Sequence, residues 1–351
     1  MKNKKIISAG HICLDITPIF STKQQFTDIN QILEPGKLIT MNPADVHSGG
    51  SVANTGLALK LLGGNVSLMG KVGDDAFGGM LQSIIADYGA GGLIVDENSS
   101  TSYSVVLAIP GIDRIFLHNS GANDTFTNSD ILENELNDAS WFHFGYPPLM
   151  QSMYINGGRE LISIFKRVRD KGIITSLDFA AIDAMSEAGQ ADWMSILKGV
   201  LPFVDYFVPS FEELVFMIDR ARFDRLSNLG GDMIEHINLE DDAKPLIDRL
   251  LELGANKIMI KCGTKGICYF DGTRIGYQPC FKPDMVVSGT GAGDTSIAAF
   301  IMAILQGRTM RRAVQIAAAE GACAVTTIDA LSGIRSIEDL EARIDSGWEC
   351  L

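Results

Sequence analysis

Met285-Val286-Val287-Ser288-Gly289-Thr290-Gly291-Ala292-Gly293-Asp294-Thr295-Ser296-Ile297-Ala298-Ala299-Phe300 is the stretch whose reading decides both fold and chemistry. A short apolar run gives way to three glycines, 289, 291 and 293, and then to Asp294. Beyond it Ile297, Phe300, Ile301, Ile304 and Leu305 recur at helical spacing until Gly307. That is a loop entering a helix N-terminus. Glycines let the backbone approach a ligand closely, and the free N–H groups of the first turn, with the positive end of the helix dipole, make an anion site. Asp294 falls in that first turn. A carboxylate beside a phosphate site has few uses, one of which is to take the proton of a hydroxyl that attacks the phosphate.

Outward from this stretch, strand and helix alternate, as in a parallel sheet covered by helices. Lys5 to Ala9 reads as a buried strand ending at Gly10, with Asp15 just beyond. Residues 16 to 46 lack helical periodicity and read as short strands and turns. Ser48-Gly49-Gly50-Ser51 then leads into a helix, Val52 to Leu62, closed by Gly63-Gly64, with Asn54 in its first turn. This is a second glycine-to-helix junction. A strand (66–69), a helix (75–88) and a hairpin around Pro110-Gly111-Ile112-Asp113 follow. The second half supplies strands at 141–144, 173–177, 206–208 and 257–261, a hairpin from Gly266, and helices near 158–171, 211–219, 242–253, 310–325 and 338–344. Asp224 to Glu240 is the least patterned segment and reads as an exposed insertion. Asp178, at the end of a strand, lies where ligands gather in open α/β sheets and is a substrate-site candidate.

Composition narrows the partners. The 351 residues carry 29 Lys plus Arg against 43 Asp plus Glu, a net charge of −14, which disfavours nucleic acid and anionic membranes. No apolar run reaches membrane-spanning length. The basic start, Met-Lys-Asn-Lys-Lys, has a signal-peptide look, but the apolar run after it is cut short by His11 and Asp15, so a first strand is expected. Cysteines 13, 262, 268, 280, 323 and 350 form no Cys-x-x-Cys pair, which fits free thiols and a cytoplasmic address. No Walker A motif is present, since Gly36-Lys37 precedes Leu38 and Gly70-Lys71 precedes Val72. The dinucleotide fingerprint fails at Ser296. Gly49-Gly50-Ser51-Val52-Ala53 has the outline of a nucleophile elbow but lacks a strand running into it, so Ser51 reads as a cap.

Gly289 to Asp294 before an apolar helix, paired with Ser48-Gly49-Gly50-x-x-x-Asn54 and Lys71-Val72-Gly73-Asp74-Asp75-x-Phe77-Gly78, resembles the two signatures of the PfkB, or ribokinase-like, carbohydrate kinases. The resemblance covers nearly the whole chain. It implies an α/β fold, a three-layer α/β/α sandwich with a mainly parallel central sheet, in one domain over 1–351 with a small β lid from about 16–46 and 97–119. It also implies transfer of the γ-phosphate of ATP, with Mg²⁺, to a hydroxymethyl group of a sugar.

Carried over residue by residue, Asp294 matches the general base, and Gly291, Ala292 and Gly293 match the anion hole. Asp15, Gly49, Gly50 and Asn54 match substrate hydroxyl contacts. Asn123 falls in Ser120-Gly121-Ala122-Asn123, similar to a segment near the lid. Ser210, Lys261, Gly263, Gly266 and Thr290 fall on the nucleotide side, and Glu213 on the metal side. Two departures stand out: Ser210 replaces the asparagine of an Asn-x-x-Glu motif, and Ser288 replaces a carboxylate, which weakens the expectation of a monovalent cation. A nucleoside acceptor, with Phe20, Phe26, Tyr103 or Phe116 stacking its base, and a catalytically weak binding relative are the rival expectations. A homodimer through the lid is the expected assembly.

Overall fold

The computed structural model describes residues 4–22, 24–112, 114–329 and 331–351. Residues 1–3 of the basic start, Lys23 of the first lid segment and Asp113 of the expected hairpin turn lie outside them. Eight strands form the main sheet in the spatial order Ile275–Gln278, Ile267–Phe270, Lys257–Lys261, Tyr206–Phe207, Ile174–Leu177, Ala139–Gly145, Lys5–Gly10 and Asn65–Met69. From Lys257–Lys261 to Asn65–Met69 the pairing is parallel, and the hairpin at the other edge is antiparallel.

Successive strand residues serve opposite faces, as a pleat requires. Ile7, Phe142, Phe144, Phe207, Ile258 and Ile260 join one core, with the Arg159–Asp170, Trp193–Val200, Phe211–Ile218 and Leu239–Glu252 helices. Ile6, Trp141, Tyr206 and Met259 join the other, with the Ala292–Leu305, Met310–Ala324 and Ile337–Asp345 helices. The expected three layers are present. Because both faces are covered, these strands carry apolar residues toward both sides rather than at alternate positions only, with Ser8, His143, Thr175 and Ser176 as buried polar exceptions.

A separate sheet has the order Met41–Gly49, Cys13–Phe20, Tyr103–Leu107, Ile115–Asn119, around a small core of Phe20, Phe26 and Ile109. Its strands come from the two segments expected to make a lid. A two-stranded pairing of Lys71–Gly73 with Ile94–Asp96 had no sequence signal, since three residues show no period.

Two expectations need correction. The segment 224–240 is no loose insertion: it holds the end of an Arg220–Ser227 helix and a 3-10 turn at Met233–His236, with Leu226, Ile234 and Ile237 buried. Three isolated anchors among polar residues give no helical period. The Trp193–Val200 helix was also missed, being barely two turns long. Met285, Val286 and Val287 are exposed loop.

Glu320, in the Met310–Ala324 helix, is fully buried; Oε2 accepts the Arg335 N–H at 3.2 Å while Oε1 has no partner among the described residues. Burial pushes its carboxyl from 4.5 to about 8. A proton held more tightly by the folded state stabilises it below the unfolded pKa and is lost as pH rises through the folded one. Between pH 4.5 and 8 the loss is on the order of 4 kcal/mol. Glu320→Gln should flatten that fall, as read by urea unfolding at pH 5 and pH 8.5.

Candidate active site

The expected residues converge at the C-terminal edge of the parallel strands, beside the point where the sheet order reverses around Lys5–Gly10. Gly291 caps the Ala292–Leu305 helix with φ 74°, a left-handed conformation that glycine adopts freely. Asp294 sits in the first turn, 5% exposed. Facing it is the first turn of the Ser51–Leu61 helix. Asn54 Nδ2 donates to Asp294 Oδ2 at 3.2 Å and Thr55 Oγ1 to Oδ1 at 3.1 Å. The positive ends of two helix dipoles thus meet at one carboxylate. Tyr146, directly after the Ala139–Gly145 strand, adds its hydroxyl at 2.9 Å from Oδ1 and 2.8 Å from Oδ2. Burial raises the Asp294 pKa; the bonds from Tyr146, Asn54 and Thr55 and the charge of Lys261 oppose it. A raised carboxyl pKa is what a general base near neutral pH requires.

Gly293 lies against the Lys261 stem, where a Cβ would sit in ordinary contact at 3.7 Å. Lys261 pairs with Asp178 in a nearly sealed ion pair, the side chains 14% and 2% exposed. Burial pushes Asp178 up to about 8 against the pull of Lys261. Lys261 stays cationic, since Asp178, Glu213 and Asp294 together outweigh its own burial. Ser210 bridges to Lys261 in parallel register and heads the next helix. Its N–H donates to Glu213 Oε2 at 2.8 Å, forming a capping box. Gly263 and Gly266, with φ of 48° and 98°, shape the turn after Lys261, and a Cβ on Gly266 would lie 2.1 Å from the Gln278 carbonyl. Thr290 is tied to Ser288, its N–H donating to Ser288 Oγ at 3.2 Å, and Arg114 of the small sheet reaches across to its hydroxyl.

In the small sheet, strand register sets His47, Asp15, Ser104 and His118 in one row. Ser104 Oγ lies 3.0 Å from His118 Nδ1. His11 lies between this row and Tyr146, its ring 5.2 Å from that of His118 and 6.1 Å from that of Tyr146. Gly50 holds φ 82° close against the His11 carbonyl. A Cβ on Gly49 would lie 2.1 Å from Asp15 Oδ2. Gly49→Ala should therefore raise KM for the acceptor about ten-fold, the loss of one hydrogen bond to a charged group, and leave KM for ATP unchanged. Steady-state kinetics against each substrate checks this.

Asn123 holds the Ile12 backbone at 3.2 and 2.9 Å and donates to the Ser120 carbonyl. It pins the turn that carries His11. Ser51 is fully buried and faces His143, which burial holds neutral with a pKa near 3 and whose other nitrogen meets Ser176 rather than a carboxylate. No nucleophile elbow exists there. Sequence reasoning missed Tyr146, Thr55, His11, His118 and Arg114. The strand-end argument that selected Asp178 applies equally to Tyr146, but the strand's last residue had to be known first.

The model for the pfkB family carbohydrate kinases matches residues 20–336. The chain belongs to this family. It is a carbohydrate kinase, a phosphotransferase with an alcohol group as acceptor. Fructokinase-1 of Oryza sativa subsp. japonica is 24% identical over 350 residues, covering 95% of each chain. Ribokinase of Arabidopsis thaliana, solved with ribose and ATP, superposes with a TM-score of 0.74 at 19% identity over 97% of this kinase and 98% of its own chain. Fructokinase of Xylella fastidiosa, solved with ATP, gives 0.74 at 20% over 98% and 99%.

Proposed function

We propose that this kinase transfers the γ-phosphoryl group of Mg·ATP to a hydroxymethyl group of a small sugar. The observation that carries the reading is Asp294, a buried carboxylate with a raised pKa, set in the first turn of a glycine-opened helix and held from Asn54 and Thr55. The acceptor oxygen attacks the γ-phosphorus, its proton passes to Asp294, and the bond to the β–γ bridging oxygen breaks to release ADP. The N–H groups of Gly291, Ala292 and Gly293 and the Lys261 ammonium stabilise charge on the transferring group. Asp15, Gly49, Gly50 and Asn54 hold the acceptor hydroxyls, and Asp178 fixes Lys261.

Lys261 is already paired with Asp178, so a bound triphosphate needs a divalent cation to balance its charge. Glu213 is the residue to hold that ion through water, since Ser210 engages one of its carboxylate oxygens. Mg²⁺ would neutralise phosphate charge. Ser288 spends its hydroxyl on Thr290, so no monovalent-cation requirement is part of the proposal. The small sheet closes over the acceptor as a lid that excludes water, with Arg114 touching Thr290. Exposed Leu38, Phe116 and Leu117 on the same segments support a homodimer through the lids, and six unpaired cysteines support a cytoplasmic setting.

Among the described residues no helix is long and apolar enough to cross a membrane. The nucleoside alternative is weaker: Phe20 and Phe26 are buried in the lid's own core and Tyr103 packs edge-on to Phe77, leaving Phe116 alone to stack a base. A panel of sugars and nucleosides assayed for ATP-dependent phosphorylation tests the reading. Turnover with a sugar supports it, preference for nucleosides replaces it, and tight binding without turnover favours a sensor.

A further inference from the structure

We infer that Tyr146 is a positioning residue that seals the base: its hydroxyl occupies the acceptor hydroxyl's place on Asp294 and so keeps water from being activated there until an acceptor displaces it. The inference rests on Asp294 being the base. A carboxylate offers about four lone-pair positions. Here three donors hold it: Thr55 on Oδ1 at 3.1 Å, Asn54 on Oδ2 at 3.2 Å, and the single Tyr146 hydroxyl proton shared between Oδ1 at 2.9 Å and Oδ2 at 2.8 Å. The phenol straddles both oxygens and competes with any attacking water for the carboxylate. For an incoming hydroxyl to hand over its proton there, the phenol has to give way.

Asn54 and Thr55 are fixed on a helix, whereas Tyr146 hangs from a residue with φ 67° and ψ 44°, a left-handed backbone that costs a non-glycine side chain energy. Tyr146, outside helix and strand and shared between both oxygens rather than fixed on one, is the donor that yields. Burial and the charge of Asp294 keep its phenol protonated, so it can donate but cannot itself take the acceptor's proton. A second seat is at hand. The His11 ring lies 6.1 Å away, buried, with neither nitrogen partnered among the described residues and its charged form suppressed by burial, so one nitrogen is an open acceptor. The acceptor sugar thus exchanges its hydroxyl for the phenol on Asp294, and the phenol turns to His11.

Without the seal, the side reaction is hydrolysis: a water oxygen attacks the γ-phosphorus, its proton goes to Asp294, and ADP and phosphate leave. The experiment measures ADP release from Mg·ATP alone, with no sugar, by the full-length chain. Tyr146→Phe should raise that rate about ten-fold over the unsubstituted enzyme, the effect of freeing one hydrogen bond to a charged group. Adding Asp294→Asn to Tyr146→Phe should abolish the rise. A merely structural role for Tyr146 would lower hydrolysis and sugar phosphorylation together. No rise in Tyr146→Phe, while Asp294→Asn alone abolishes sugar phosphorylation, overturns the seal and leaves the base intact. A rise that survives Asp294→Asn overturns both. Should Tyr146→Phe fail to fold, Tyr146→Asn, whose side chain tolerates the left-handed backbone, carries the same expectations.

Discussion

Asp294→Asn is expected to lower kcat by about 10² to 10⁴-fold while the chain folds and still binds Mg·ATP. The asparagine keeps the shape of the carboxylate, and its oxygen still accepts from Thr55 and Tyr146, so the two helix ends stay together. What it lacks is a site for the acceptor's proton. The pH profile gives a second readout. Because burial raises the Asp294 pKa, the acid limb of kcat/KM should lie above the ordinary carboxylate value of 3.8, with activity growing as pH rises through it. The variant's residual activity should show no such limb. Near-normal turnover in Asp294→Asn would remove Asp294 from the role of base.

Lys261→Met should be the next most damaging change, and in two separable ways. Turnover should fall on the order of 10²-fold, as when one donor to a transferring group is lost. Stability should fall by about 3 to 5 kcal/mol, because Asp178 is left in a sealed place without its counter-charge. Asp178 can relieve that strain by taking a proton. Its folded pKa, already pushed to about 8, moves further up once Lys261 no longer opposes the shift, so the loss is smallest at low pH and grows as pH rises. The double variant Lys261→Met, Asp178→Asn separates the effects: urea unfolding should recover while kcat stays low. Recovery of turnover in the double variant would show that Lys261 serves the fold alone.

The glycine-opened half of the candidate site is legible in the sequence because its instructions are local. Gly291 needs its backbone conformation, the apolar period after Asp294 needs a helix, and both are written within a dozen residues. The central sheet was equally readable, since strands covered on both faces, such as Trp141 to Phe144, are mostly apolar, with His143 the exception there. The acceptor half was not. Tyr146 and His11 become neighbours only through pairing of the Ala139–Gly145 strand with the Lys5–Gly10 strand, and the His47, Asp15, Ser104, His118 row exists only in the register of four strands drawn from two segments of the chain. Histidines without a shared motif carry no sign of such a row. Ser210 looked like a lost amide; the structure gives it a capping role with Glu213 that any serine at a helix start can fill.

The bonds from Asn54 and Thr55 to Asp294 span 240 and 239 residues of chain. Contacts so distant in sequence form only after the intervening loop-closure entropy has been met, which places them among the slow events of folding. During synthesis the donor pair emerges long before its carboxylate. On the proposed mechanism, recovery of turnover during refolding should report the last long-range docking of the two helices rather than the earlier growth of helix content.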